Sequence, residues 1–156
     1  MTIVKLPKMS KREIKELIQE QSICRIAFKG GEYPYMAPFQ YVVVNGQLYF
    51  HFTDYGKKMK LLEKDNRVCV GLESFEPNLS EYSFVVLMGK LKVVTDVDER
   101  AEAIDRIASD GKRRISPNFL AAHGVKKEEG WSAFTPEKPF VIVKLEIEKM
   151  IGLKSP

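Results

Sequence analysis

Between Gln47 and Leu62 the sequence collects the residue types that hold an anion. Leu48, Phe50 and Phe52 alternate with Tyr49 and His51, so one face of a strand is apolar and the other carries an imidazole. Thr53 follows with a hydroxyl donor, then a tight loop containing Gly56, then Lys57-Lys58 at the start of a short helix carrying Met59, Leu61 and Leu62. A loop that feeds a helix N-terminus presents free backbone N–H groups and the positive end of the helix dipole. The dipole favours an anion there by ~0.3–1 kcal/mol, and two ammonium groups add point charges that suit phosphate. The same spacing also describes a capped surface helix with solvated lysines. At the level of the residues both readings stand.

Other chemistries find little support. The chain has no Gly-rich phosphate loop of the dinucleotide or P-loop type and no Gly-x-Ser-x-Gly elbow. His51 and His123 are the only histidines and there is no Cys-x-x-Cys, so no metal-ligand set is expected. Cys24 and Cys69 both fall mid-strand, where buried inert thiols are commoner than nucleophiles. His123, in Ala121-Ala122-His123-Gly124, reads as a helix C-terminal residue stabilised by the dipole. Lys112-Arg113-Arg114 reads as a solvated patch. No catalytic residue stands out, and any redox or transfer chemistry would come from a borrowed cofactor.

The elements that position this window make one domain, residues 1–156. With 44% hydrophobic and 29% charged residues the chain is neither disordered nor membrane-embedded, and its longest strongly apolar stretch, Phe84–Met88, is too short to span a bilayer. The N-terminus lacks an apolar signal core, so a cytoplasmic protein with free thiols is expected. A net charge of +4 favours anionic partners.

Ser10-x-x-Glu13 is a capping box opening a helix with Ile14, Leu17 and Ile18 on one stripe. Ile23–Phe28 reads as a strand. Tyr33–Val44 reads as one long extended segment, bulged or at an edge because Pro34 and Pro38 cannot donate to a ladder. Asn45-Gly46 marks a hairpin between Tyr41–Val44 and Gln47–Phe52. Arg67–Glu73, Ser83–Val94 with a bend at Gly89, and Phe140–Ile147 complete about six strands. Asp96-x-x-Glu99 opens a helix carrying Ala101, Ile104, Ile107 and Ala108, and residues 110–138 are the least regular. Six antiparallel strands with a few short helices predict a mainly β (α+β) closed or split barrel.

The order of these motifs carries a resemblance. Pro34, Ala37-Pro38 and Tyr41 precede the Asn45-Gly46 hairpin, Leu48-Tyr49-Phe50-His51, Gly56-x-Lys58 and Asn66-Arg67-Val68. Tyr82–Gly89 and Val143–Ile147, with Gly152, continue the pattern. Together they resemble the pyridoxamine 5′-phosphate oxidase-like superfamily of FMN-binding split barrels, nearest the branch similar to nitroimidazole-resistance proteins.

The resemblance implies a homodimer with noncovalent FMN in a cleft between subunits and a small-molecule redox substrate. Pro38, Phe39, Gln40 and Tyr41 would line the isoalloxazine; His51, Phe52, Thr53, Lys57 and Lys58 would hold ribityl and phosphate. Ser83 matches a family serine, and Trp131, the sole tryptophan, could cover a flat ring. There are departures. Phe52 stands where relatives carry Ser or Thr, and Gly56-Lys57-Lys58 replaces the oxidase's Ser-Arg-Lys, giving up a bidentate fork. Pyridoxal phosphate synthesis is therefore not expected. The alternative is a haem- or deazaflavin-binding module on the same barrel, with His51 or His123 as the axial-ligand candidate for haem. A nucleic-acid-binding barrel ranks last, because the aromatics form no stacking platform beside the basic residues.

Overall fold

The computed structural model describes residues 1–156. It contains α1 (Lys11–Glu20), β1 (Ile23–Phe28), β2 (Tyr35–Gln40), β3 (Val42–Val44), β4 (Gln47–Phe52) and α2 (Lys57–Lys64). Then follow β5 (Arg67–Phe75), β6 (Tyr82–Val93), α3 (Val97–Arg114), three 3₁₀ turns within 117–133, and β7 (Val141–Lys154). All strand pairs are antiparallel, in the order β2-β1-β5-β6-β7-β4-β3.

The two ends of that order, β2 and β3, are consecutive in the chain with only Tyr41 between them. The sheet must therefore curl until its terminal strands meet at a corner, which makes a split barrel. Tyr41 is the corner: its N–H donates to the Ser22 carbonyl at 3.1 Å and its hydroxyl donates to the Ile18 carbonyl. The single extended segment expected over 33–44 is thus two strands, and the sheet has seven strands rather than six. Pro38 sits in β2, one of the two strands with a free edge, as its missing N–H requires.

Each face of the curled sheet covers its own core. Inside the barrel lie Ile26, Phe28, Leu48, Phe50, Phe52, Val70, Leu87 and Val143, closed at one end by α1 through Ile14, Leu17 and Ile18. Outside, Tyr49 and Ile142 pack under α3 and the 3₁₀ segment, against Ile104, Ile107, Leu120, Trp131 and Phe134. The strand alternation through β4 is what feeds both cores. Ser10 and Glu13 complete the expected capping box, whereas Asp96 only caps Glu99 N–H; the Glu99 carboxylate turns instead to Tyr49 and Lys144.

Other local readings shift. The α3 stripe runs through Ala103, Ile104, Ile107 and Gly111 rather than Ala101. Cys24 is buried but Cys69 is exposed. Of the basic run at the end of α3, Arg113 pairs with Asp110, and Arg114 donates to the Gln19 and Glu20 carbonyls at the end of α1. The β6–β7 pairing shifts register between Met88 and Gly89, and a β-carbon at Gly89 would overlap the Glu146 carbonyl. That is the bend expected at this glycine. No helix is long and apolar enough to cross a membrane.

Candidate functional site

Where β2 ends beside β4, the start of α2 and the last turn of the 117–123 segment, the surface folds in to form a cavity of about 280 Å³. Pro38, Phe39, Gln40, His51 and Lys58 line it together with Tyr35, Phe119, Ala122 and His123. Five of the residues expected from the sequence thus converge on one cavity although they come from three separate elements.

The cationic side is the start of α2. Gly56, at φ +94°, occupies the N-cap position with no side-chain acceptor, and no acidic residue stands in the first turn. The leading N–H groups are therefore uncapped. Neither Lys57 nor Lys58 has a carboxylate partner, while Lys29, Lys90, Lys92, Lys144 and Lys154 do. Lys57 Nζ lies 4.9 Å from the centre of the Tyr35 ring, and Lys58 Nζ lies 5.1 Å from that of Phe39. These aromatic faces hold the ammonium groups near the cavity without neutralising them.

The opposite side is a buried polar row. His51 Nδ1 and His123 Nδ1 are 3.0 Å apart, His123 Nε2 is 2.8 Å from Gln40 Oε1, and Gln40 Nε2 donates to the Ile107 carbonyl at 3.1 Å. Gln40, His51 and His123 are 2%, 6% and 5% exposed. Burial pushes the His51 ring down to about 3, helped by His123 and Lys58, and the His123 ring down to about 4, helped by Lys58. Both imidazoles are neutral at pH 7. His51 is also boxed edge-on by Phe134 and Phe140, which stack on each other at 4.2 Å.

The remaining expected residues lie elsewhere. Tyr41 and Phe52 point into the barrel core, where Phe52 stacks on Phe39 at 4.9 Å. Thr53 donates to the Tyr55 carbonyl. Ser83 lines a separate groove with Phe75 and Tyr82 on the β5–β6 end. Trp131 is buried beneath α3, its Nε1 donating to the Ile115 carbonyl and its ring filling the notch left by Gly111.

The sequence offers His123 only as a helix end or, in the haem alternative, as an axial-ligand candidate, and its place in this polar row is not legible there. His123 does end a 3₁₀ segment before the left-handed Gly124, but as a buried neutral ring rather than a dipole-stabilised cation. Only its proximity to Gln40 and His51, 83 and 72 residues away in the chain, reveals its part.

Residues 10–137 match a family model described as pyridoxamine 5′-phosphate oxidase. The chain belongs to this family. No curated protein matches it, but solved structures resemble it over nearly its whole length. An FAD-binding protein from Mesorhizobium loti is 19% identical with a TM-score of 0.70, covering 98% of this chain and all of that one. A candidate 5-nitroimidazole antibiotic resistance protein from Bacteroides thetaiotaomicron is 21% identical at 0.68, covering 96% and 87%. A heme-binding protein from Mycobacterium smegmatis is 17% identical at 0.61, covering 86% of this chain and 49% of the other. At these identities the likeness shows the split-barrel fold, in agreement with the family.

Proposed function

We propose that the protein binds flavin mononucleotide noncovalently in this cavity, at the interface of a homodimer, and serves as an oxidoreductase toward a small molecule. The observation that carries the reading is the meeting of an uncapped helix start, two lysines without carboxylate partners and the edge strand β2 around one hollow. Phosphate fits the helix start, Lys58 and Lys57. Because β2 ends the sheet, one row of its backbone groups has no strand partner, and that row, the Pro38 carbonyl and the Gln40 amide, suits the polar rim of a flavin ring. When bound, the flavin supplies electron transfer. The chain's own residues bind, orient and shield it.

Subunit pairing has its own argument. A cavity of about 280 Å³ lies just below the ~300–1,000 Å³ usual for ligand sites, so one protomer holds part of the cofactor. Exposed Tyr33 before β2, Met36 within it and Tyr55 before α2 offer an apolar rim for a second copy.

The test is an absorbance spectrum of the purified protein, identification of anything released on denaturation, and titration with FMN. A yellow protein, or one that takes up FMN with Lys58-dependent affinity, supports the reading; a colourless protein that ignores added FMN overturns it. Haem or a deazaflavin in the same cavity is the second reading, favoured by its neutral imidazole surface and by the heme-binding relative. A Soret band on haem addition, without FMN uptake, would select the haem arm.

A further inference from the structure

The polar row behind the cavity has a direction. Gln40 must turn its NH₂ toward the Ile107 carbonyl, since the flipped amide would set two acceptors against each other. Gln40 Oε1 then accepts from His123, so the proton of neutral His123 sits on Nε2 and its Nδ1 is a lone pair. His51 must therefore donate from Nδ1, and its Nε2 is left with a lone pair only. That Nε2 makes no hydrogen bond within the chain, yet no buried side-chain nitrogen or oxygen lacks one. Nε2 is therefore open to solvent, and His51 lines the cavity.

We propose that His51 presents Nε2 to the ligand as an acceptor-only atom, taking a hydrogen bond from a hydroxyl or N–H group, with His123 and Gln40 as positioning residues that lock its tautomer. The inference deepens the reading of the cavity as a ligand site. It divides that site by chemistry: phosphate oxygens, themselves acceptors, are turned away from His51 and directed to the start of α2. The occupant is then an anion bearing a hydroxyl or imide donor at its other end, as a phosphorylated polyol or an imide ring would be.

Long-range ¹⁵N–¹H NMR of the ligand-free protein at pH 7 tests the tautomers directly. The expected result is His51 protonated at Nδ1 and His123 at Nε2; the opposite tautomers, or a charged ring, overturn the proposal. Gln40→Leu removes the acceptor and should mix the His51 tautomers and weaken FMN binding roughly three- to tenfold. An unchanged His51 signal in Gln40→Leu would remove Gln40 from the lock. FMN and ribitol 5-phosphate should each shift His51 Nε2 as an accepted hydrogen bond, while inorganic phosphate should not. Bound FMN that leaves Nε2 unmoved overturns the proposal. If FMN does not bind at all, the flavin reading falls, and ribitol 5-phosphate still decides the role of His51.

Discussion

The guanidinium of Arg100 donates from Nε to the Phe140 carbonyl at 3.1 Å, across 40 residues, and the same group takes up the carbonyls of Pro136 and Lys138. One α3 side chain thereby folds the irregular loop whose Phe134–Phe140 stack walls in His51. Hydrogen bonds to a charged group contribute about 1.5–3 kcal/mol each, less where water competes, as at Lys138. Arg100→Ala is expected to lower stability by roughly 2–3 kcal/mol in urea unfolding, with Arg100→Lys recovering little of it because one ammonium cannot span three carbonyls. The loop amides around 136–140 should lose hydrogen-exchange protection before the barrel strands do.

Acid should loosen the outer layer before the barrel. His51 and His123 titrate near 6.5 when unfolded but near 3 and 4 when folded. Between those limits the unfolded chain binds protons that the folded chain refuses, so stability falls as pH drops from about 6.5. The slope is about 1.4 kcal/mol per pH unit for each histidine, ending as pH passes the folded values. The carboxylates whose values are lowered, Glu13 by Lys154, Asp65 by Arg67, and Glu99 by the Tyr49 hydroxyl and Lys144, add their own loss only below their ordinary range near 4. Urea midpoints at pH 7, 6 and 5 read the histidines alone, and a flat profile there would contradict the buried neutral pair.

Lys58 and Lys57 should separate in a binding titration. Lys58 lines the cavity and acts electrostatically on both imidazoles; Lys57 is exposed and leans on Tyr35. Lys58→Ala is expected to weaken FMN binding roughly ten- to hundredfold, the worth of a charge-assisted hydrogen bond, and Lys57→Ala less than about fivefold. Raising the salt concentration should weaken the wild-type protein more than Lys58→Ala.

Gly111 is expected to tolerate no side chain. A β-carbon there would overlap the Trp131 ring, which is held on its far side by the bond from Nε1 to the Ile115 carbonyl. Gly111→Ala should cost about 1–3 kcal/mol through overpacking, despite alanine's better helix propensity. The emission of Trp131, the sole tryptophan, should shift to longer wavelength in the variant as the ring is displaced toward water. Unchanged emission with unchanged stability would argue against this packing.

Local patterns settled much of this protein. Alternation through β4 decided which side chains face which core, Asn45-Gly46 decided a hairpin, and Gly56-Lys57-Lys58 marked a helix start, because each is a property of a few adjacent residues. The motif order extended this to the family. Tertiary structure decided the rest. Tyr41 became a corner only because Ser22 and Ile18 wait for it, so seven strands stand where six were counted. Trp131 became a core residue under α3, and Ser83 fell in another groove. His123 joined Gln40 and His51 through contacts whose partners lie 83 and 72 residues off. Periodicity records which way a side chain points from its own backbone. Which distant group it meets depends on how the sheet curls and how the loops close over it, and no short stretch of chain carries that information.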